Sequence, residues 1–466
     1  MREVGASVRK MLEQAAAAKW GVDASKCVAK GHKVILKSAS ESPKVIGYGD
    51  LAKEAMALPT PARDTLRFKK PDEWRYVRKN NIQITDLHDI TTGKAVYGAD
   101  VSAEGMMVAV VARPPVVGAP VKSFDDSAAK KVPGVKAVIQ LDGSMPPAKF
   151  APLGGVAVVA TDTYSAIKGR EALKVEWGDS KHSVYNTETF KKEMAATASK
   201  VGSGKAIRKE GDVDGALKSA AKTFSQSYYQ PHMSHAPIEP VACIATVKDG
   251  KAEISGPFQS PYGARQDIAK AIGLKVEDVT VNVTLLGAAF GRKSKCDFGI
   301  EAAMISKKMG GTPIRVQWTR EDDMRHGFYP TTSHERITVG LDKNNKVTAW
   351  NHMSVAPTIL STFAEDNKTG FFIEHGMGFV ELPWEVPNFR AEMGESLAHV
   401  RIGWFRSVSN IPRAFAVQSF IAELAHETGR DHKEVLLELI GSDRKIDPKK
   451  HGFPEDFWNY GEPMET

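Results

Sequence analysis

In this 466-residue chain, residues 287–293 combine small, aromatic and basic residues in one short segment that could bind a ligand. They read Gly-Ala-Ala-Phe-Gly-Arg-Lys, and we call this segment the cradle loop. Residues with small side chains expose consecutive backbone N–H groups, and a helix start just beyond them adds a dipole that favours negative charge. The loop is therefore predicted to cradle an anion or an oxo group, although such loops also serve simply to turn the chain.

Two regular elements must position this loop. Upstream, apolar residues at every second position from Val279 to Leu285 predict a half-buried strand. Downstream, residues 297–308 contain helix formers with apolar residues at helical spacing, and Gly310 and Gly311 end the run. The predicted unit is a strand, a small-residue loop and a helix.

Four further segments accompany the cradle loop in a fixed order. They are residues 231–240, 256–261, 318–323 and 403–407. In that order and spacing, the five motifs resemble the molybdopterin-binding large subunit of the xanthine dehydrogenase and aldehyde oxidase family. Within that family, the likeness is greatest to isoquinoline 1-oxidoreductase beta subunits and related bacterial aldehyde dehydrogenases. The resemblance covers nearly the whole chain, which looks truncated at both ends.

The resemblance implies an α+β fold with an α/β hammerhead domain and a molybdopterin-cofactor-binding domain of the aldehyde oxidase/xanthine dehydrogenase type. Strands alternating with helical patterns between residues 107 and 168 favour an α+β module independently. By resemblance, residues 1–80 are a fragment of the second molybdopterin-binding domain and residues 81–180 are the hammerhead domain. Residues 181–466 are then a C-terminally incomplete first molybdopterin-binding domain.

The same resemblance assigns site residues. Gln259 matches a family glutamine whose amide donates to an oxo ligand of molybdenum, and Phe290 and Gly291 match residues that pack against the metal and pterin. Arg406 matches an arginine whose guanidinium suits a phosphate. The expected cofactor-binding residues are Gln259, Gly287, Ala288, Ala289, Phe290, Gly291, Arg292 and Arg406. We expect Gln259, the turn at Phe290 and Arg406 to converge around one pterin-sized cavity.

The chain departs from the family pattern in two ways. Ala288 and Ala289 stand where glycine is common, and an alanine held at positive φ would cost about 1 kcal/mol. The family's general base, a glutamate in a Gly-x-Gly-Glu motif, has no counterpart, since Tyr460-Gly461-Glu462-Pro463 does not match. No catalytic residue is therefore identified. A positioned base contributes about 10²–10⁴-fold, so the isolated chain is predicted to be inactive.

Other polar motifs have plainer interpretations. His232, His235 and Glu239 could form a metal trio, but the prolines among them argue against the helix that would align the two histidines. The acidic residues 321–323 are interpreted as a solvated turn or helix start rather than a cation site. Arg292 and Lys293 either meet a cofactor phosphate or are solvated. We predict no protein-bound metal site.

The amino-acid composition limits the kinds of partner and bound metal that this chain is expected to have. Cys27, Cys243 and Cys296 are too few for a four-thiolate zinc or iron–sulfur site, and Cys296 is predicted to be a buried or idle thiol. The 63 basic residues are scattered among 56 acidic ones, and no nucleic-acid motif accompanies them. No apolar run approaches the roughly 18 residues of a membrane span. We expect neither nucleic acid nor a membrane span, and residues 1–20 carry no export signal.

The implied function is that of the molybdopterin-binding component of a molybdenum-dependent oxidoreductase. By resemblance, a molybdopterin molybdenum cofactor in its cytosine dinucleotide form oxidises an aldehyde or an N-heterocycle, with water as the oxygen source. Electrons pass to a [2Fe-2S] cluster on an iron–sulfur small subunit, and a separate chain could carry the missing C-terminal portion. Related complexes are often periplasmic. The alternative is a catalytically incomplete split or truncated product that acts as an interaction scaffold.

Overall fold

The computed structural model describes residues 1–37, 43–80, 82–144 and 146–446 and the backbone of residues 464–465. These residues form two compact units, Met1–Lys94 and Ala95–Thr466. Both units combine helices with sheets, so the predicted α+β class is confirmed. Residues 460–463, which were compared with the general-base motif, lie outside the described residues.

The first unit is a small three-stranded sheet covered by a helix. Its elements are α1 (Arg2–Trp20), β1 (Cys27–Lys30), β2 (Lys33–Leu36), β3 (Val45–Gly47), α2 (Ala52–Met56) and α3 (Leu87–Thr92). The strands pair antiparallel in the order β1-β2-β3. Leu12 and Ala16 on α1 belong to the same core as Val34 on β2. Apolar residues at helical spacing before Gly21 predict a helix that ends at this glycine. Helix α1 does end at Gly21, which adopts φ 65°.

The second unit holds the remaining strands and helices. Its strands are β4 (Met107–Ala112), β5 (Val121–Asp125), β6 (Val135–Leu141), β7 (Gly155–Ala160), β8 (Lys174–Trp177), β9 (Lys205–Glu210), β10 (Lys222–Gln230), β11 (Ala242–Lys248), β12 (Lys251–Gly256), β13 (Val279–Val283), β14 (Ile314–Gln317), β15 (Ser333–Leu341), β16 (Val347–Val355), β17 (Asn388–Gly394), β18 (Lys445–Ile446) and β19 (Met464–Glu465). Its helices are α4 (Thr163–Ala172), α5 (Thr187–Ala198), α6 (Val213–Ser219), α7 (Pro261–Ile272), α8 (Asp297–Lys308), α9 (Arg320–His326), α10 (Phe372–His375), α11 (Asn410–Thr428) and α12 (His432–Ile440).

A seven-stranded mixed sheet carries the cradle loop. Its order is β13-β12-β11-β14-β4-β7-β6, with β13 at one edge, parallel to β12. Helices α7 and α8 contribute Ile268 and Phe298 to the core, beside Ile254 and Trp318. The predicted strand, loop and helix are confirmed as β13, the cradle loop and α8. The sheet edge and the α8 N-terminus therefore fix the two ends of the loop.

A five-stranded sheet, in the order β10-β15-β16-β17-β9, supports the other half of the unit. Helix α11 covers it and buries Phe420 and Leu424 against Trp350 of β16. The spacing of apolar residues predicts that Phe415 lies on the same side of this helix as Phe420 and Leu424 and that Gly429 ends the helix. Gly429 does end it, but Phe415 is 47% exposed, so these three residues do not share one buried face. Helix α11 lies directly after residues 403–407, so this sheet positions the segment that contains Arg406.

The strands on either side of residue 180 share one sheet, since β4 pairs in parallel with β14. The predicted boundary at residue 180 therefore does not separate two sheets, and the three-domain division stays a prediction. None of the helices in the described ranges combines the length and apolar character needed to cross a bilayer.

Candidate functional site

The cradle loop has an unusual backbone. Ala288, Phe290 and Gly291 adopt φ values of 65°, 53° and 105°. A Cβ added at Gly287 would lie 2.5 Å from Glu239 Cβ, and one added at Gly291 would lie 2.2 Å from Trp404 O. Glycine is thus required at both ends of the turn by close packing. The penalty predicted for alanine applies to Ala288, whereas Ala289 is not at positive φ.

This conformation frees two backbone donors. Within the described part of the chain, the N–H groups of Ala289 and Phe290 have no hydrogen-bond partner. The N–H of Ala288 bonds Leu286 O at 2.8 Å, and that of Arg292 bonds Ala289 O at 2.8 Å. Consecutive unpaired N–H groups on a turn form a concave site for an anion or an oxo group.

Hydrogen bonds join the three predicted parts of the site. Gly291 N–H donates to Gln259 Oε1 at 3.1 Å, and Arg406 N–H donates to Phe290 O at 2.7 Å. The rings of Phe290 and Phe405 stack with centroids 6.1 Å apart. Three segments that are remote in the chain therefore meet at the cradle loop.

The meeting point is an exposed face of the second unit, and the pterin-sized cavity around it stays a prediction. Gln259 and Arg406 are exposed, and Phe290 is 39% exposed. Because Gln259 Oε1 accepts from Gly291, its amide nitrogen is left to donate outward. The Arg406 guanidinium has no hydrogen-bond or ion-pair partner among the described residues. Both groups can therefore contact a ligand that carries oxygen or phosphate.

The side chain of Arg292 corrects the sequence interpretation. It is fully buried and bonds both carboxylate oxygens of Asp297, at 2.8 and 3.0 Å. Lys293 is also fully buried and donates to Glu239 Oε2 at 2.5 Å. Neither side chain is solvated or free to meet a phosphate, because each already neutralises a buried carboxylate. Their role is to anchor the loop from below.

A layer of buried ion pairs continues beneath the loop. Arg113 bonds Glu301 through Nη2 at 2.5 Å, and Arg401 lies 3.4 Å from Asp297. Burial lowers the pKa of Arg401 to about 10. Paired charges in such a layer are strongly destabilising to break, since one unpaired charge would stay buried.

The acidic residues 321–323 belong to this layer in part. They lie in the first turn of α9, as predicted, with Thr319 as the N-cap. Asp322 and Asp323 are buried rather than solvated. Asp322 accepts from Arg170 at 2.7 Å, and Asp323 accepts from Arg320 at 2.8 Å. These carboxylates neutralise nearby cations.

Glu239 is the main anchor of the cradle loop. Its carboxylate accepts from the N–H groups of Ala99 and Gly287, each at 3.1 Å, besides Lys293. His232 Nδ1 instead contacts Pro330 O at 2.9 Å, and these groups share no common centre. The described ranges contain no set of three His, Cys, Asp or Glu side chains placed to hold a metal ion. Glu239 holds the backbone, a role that sequence reasoning missed.

Two further buried side chains, His235 and Lys295, hold the segment around Trp404, a role that the sequence did not reveal. His235 Nε2 lies 3.1 Å from Trp404 O, and its ring packs on Phe405 with centroids 4.9 Å apart. Burial, followed by the nearby Lys295, lowers the pKa of His235 to about 3. Lys295 Nζ donates to Trp404 O at 2.9 Å and to Gly291 O at 2.6 Å. Composition could not reveal them, because His and Lys are usually exposed.

The cysteines take no part in the exposed face. Cys296 is buried, as predicted, and burial raises its thiol pKa well above the usual value. All three cysteines are free thiols.

Backbone strain is concentrated around the site. The described residues include ten non-glycine residues at positive φ. Four of them lie in the site segments, namely Ala236, Ala288, Phe290 and Ser407, and a fifth, Val408, directly follows residues 403–407. Val408, at φ 48°, is the least expected because it is β-branched. Strain of this kind persists where surrounding contacts over-determine the backbone, and it clusters at ligand sites.

Comparison with known proteins gives one family match and several relatives. Residues 197–438, just over half of the chain, match the molybdopterin cofactor-binding domain family. The chain is 29% identical to the membrane-bound aldehyde dehydrogenase (pyrroloquinoline-quinone) of Gluconacetobacter polyoxogenes, over 94% of this chain and 57% of that protein. It is 24% identical to isoquinoline 1-oxidoreductase subunit beta of Brevundimonas diminuta, over 94% of this chain and 59% of that protein.

Solved structures share the fold. Aldehyde oxidoreductase from Desulfovibrio gigas superposes with a TM-score of 0.64 at 20% identity, over 80% of this chain and 44% of that one. Quinoline 2-oxidoreductase from Pseudomonas putida gives a TM-score of 0.63 at 17% identity, over 82% of this chain and 51% of that one. The chain spans about half the length of the curated relatives it matches.

Proposed function

The chain belongs to the molybdopterin cofactor-binding domain family, and from that premise we propose that it is the cofactor-binding component of a molybdenum hydroxylase. The proposed substrate class is an aldehyde or an N-heterocycle. The observation that carries the proposal is the meeting of Gln259, Phe290 and Arg406 through hydrogen bonds on one exposed face. A fold that served only as scaffold would not need an outward amide, two free N–H groups and an unpaired guanidinium at one place.

The residues present fit such a cofactor. The Gln259 amide nitrogen and the N–H groups of Ala289 and Phe290 would donate to oxo or pterin acceptors. The Arg406 guanidinium would pair with a phosphate of the cofactor, since its planar fork matches phosphate oxygens. There is no room for a Cβ at Gly287 or Gly291, so glycine at these positions lets the backbone of the cradle loop pack directly against Glu239 and Trp404. Phe290 would cover one side of the substrate position.

When bound, the cofactor would supply the two-electron oxidation that adds water-derived oxygen to a substrate carbon. This chain's part is to hold donors in place before the reaction, which lowers the reorganisation needed. We propose that the carboxylate general base lies outside this chain. The cytosine dinucleotide form of the cofactor and a [2Fe-2S] partner subunit complete the proposal.

Arg406→Ala tests the proposal most directly. The full-length protein is co-expressed with its partner subunits, and molybdenum and pterin per chain are measured by mass spectrometry and fluorescence. Losing one charge-assisted phosphate contact should lower cofactor affinity about 10- to 100-fold, with little change in melting temperature. The control is Lys343→Ala, which removes one exposed positive charge from the turn between β15 and β16.

Wild-type protein without molybdenum would overturn the proposal and favour the scaffold alternative. A quinone chromophore in place of molybdenum would instead point to pyrroloquinoline quinone, the cofactor for which the Gluconacetobacter relative is named. Equal molybdenum in the Arg406→Ala and Lys343→Ala variants would remove Arg406 from the site. A periplasmic location, proposed from the resemblance, is tested by fractionating cells that express the full-length protein.

A further inference from the structure

Lys295 lies where the cradle loop and residues 403–407, here called the arginine loop, come closest. Its Nζ donates to Gly291 O at 2.6 Å and to Trp404 O at 2.9 Å. The separation of the two loops is tight, because a Cβ on Gly291 would lie 2.2 Å from Trp404 O. Two carbonyl groups from different loops thus point into one buried space, and Lys295 donates to both of them, beside Ser294 at Gly291 O and His235 at Trp404 O.

The environment of Lys295 differs from that of its neighbours. Arg292 and Lys293 each pair with a carboxylate, whereas Lys295 is fully buried with no carboxylate within ion-pair distance among the described residues. Its Nζ lies 4.6 Å from the centroid of the Trp404 ring. A buried lysine without an acidic partner is rare because desolvation opposes it. Charge pairing therefore does not explain this residue.

The number of donors gives an explanation. Burial, followed by the nearby Arg292, lowers the pKa of Lys295 to about 6, and Asp297 opposes the shift. At neutral pH the side chain is then mostly an uncharged amine with two N–H groups. The two acceptors are Gly291 O and Trp404 O, so donors and acceptors match.

We propose that Lys295 is a positioning residue that sets the distance between the cradle loop and the arginine loop. Gly291, which it holds by the carbonyl, donates its N–H to Gln259, and the residue two positions after Trp404 is Arg406. Moving either loop would therefore displace the outward amide or the free guanidinium. This inference rests on the proposed function, because the spacing of the two loops matters only if a cofactor binds to both of them.

The test compares Lys295→Met with Lys307→Met in the full-length protein co-expressed with its partners. Lys307 likewise donates to a backbone carbonyl, Ile272 O at 2.7 Å, but it lies in the last turn of α8, at the opposite end of that helix from the cradle loop. Lys295→Met should lower molybdenum per chain about tenfold or more, as loss of a supporting contact does at metal sites. The Lys307→Met variant should keep the wild-type molybdenum content per chain. Ile254→Val, a core change of β12, supplies a destabilised control.

Conservative variants separate positioning from bulk stability. Lys295→Gln keeps two N–H donors on an uncharged group and should retain more molybdenum than Lys295→Arg, whose guanidinium stays charged. This order decides the matter even if Lys295→Met fails to fold, and the reverse order would overturn the proposal. The proposal is also overturned if the Lys295→Met variant keeps the wild-type molybdenum content per chain, or if it loses no more molybdenum than the Ile254→Val variant does. Molybdenum-free wild-type protein would overturn the proposed function itself, and this inference with it.

Discussion

The cradle loop and the arginine loop meet at the same site but are held in opposite ways. Buried ion pairs anchor the cradle loop, through Arg292 with Asp297 and Lys293 with Glu239. The arginine loop is held by its backbone: Trp404 O accepts from His235 and Lys295, and the N–H of Gly403 bonds Tyr329 O at 2.8 Å. In the cradle loop the cations face inward, whereas in the arginine loop the cation faces outward.

This difference separates structural charge from binding charge. A cation whose counter-charge lies in the protein contributes to stability and has little left for a ligand. A cation held by its backbone alone keeps its full charge for a partner. Arg406, rather than Arg292 or Lys293, is therefore the group expected to recognise an anion. Three predictions test the contrast, beginning with the largest effect.

Asp297→Asn removes the counter-charge of the cradle loop. Asp297 is fully buried and accepts from Arg292 and Arg401, so the variant leaves two buried guanidinium groups without a compensating carboxylate. The free energy of unfolding should fall by about 3–5 kcal/mol, measured by urea denaturation.

The matched control for that variant is an exposed pair. Glu176 contacts Lys122 at 2.7 Å, and both side chains are more than half exposed. Glu176→Gln should leave the urea midpoint unchanged, since solvent screens such pairs. Similar losses in both variants would mean that burial does not give the cradle loop its stability, and the contrast between the loops would fail.

Acid should loosen the arginine loop through His235. Its folded pKa of about 3 lies below the ordinary value, so the neutral form is the folded one. This stability is complete above about pH 6.5 and falls by about 1 kcal/mol for each pH unit as the pH drops toward 3. His235→Gln should reduce the slope of unfolding free energy against pH in that window. The exposed His432→Gln is the control, and an unchanged slope in the His235 variant would contradict the prediction.

The smallest effect comes from the adjacent alanines of the cradle loop. Ala288→Gly relieves positive φ and should raise the free energy of unfolding by about 0.5 kcal/mol, after the greater freedom of glycine in the unfolded chain is included. Ala289→Gly removes a buried methyl at ordinary φ and should lower it by about 1 kcal/mol. Thermal denaturation checks both. Changes of equal sign would show that backbone strain does not distinguish the two positions.

Local pattern predicted much of this fold. The period-2 alternation before the cradle loop and the helical spacing after it correspond to β13 and α8, and Gly21 and Gly429 end their helices in the left-handed conformation. The same spacing predicted one side of α11 for Phe415, Phe420 and Leu424, yet Phe415 is 47% exposed, because helical spacing does not show how wide the covered face of a helix is. Short-range rules succeeded where neighbours in the chain decide the conformation.

The sequence by itself determined the strand, loop and helix, the order of the motifs and their family. Only the tertiary structure decided which basic residues are available to a ligand. Lys293 meets Glu239 from 54 positions away, and Lys295 meets Trp404 from 109 positions away. A buried arginine or lysine looks the same in the sequence as an exposed one. Whether its side chain points inward or outward depends on partners that only folding brings close to it. The sequence therefore shows which charged residues lie in the site segments, but only the fold decides which of those side chains are exposed to a ligand.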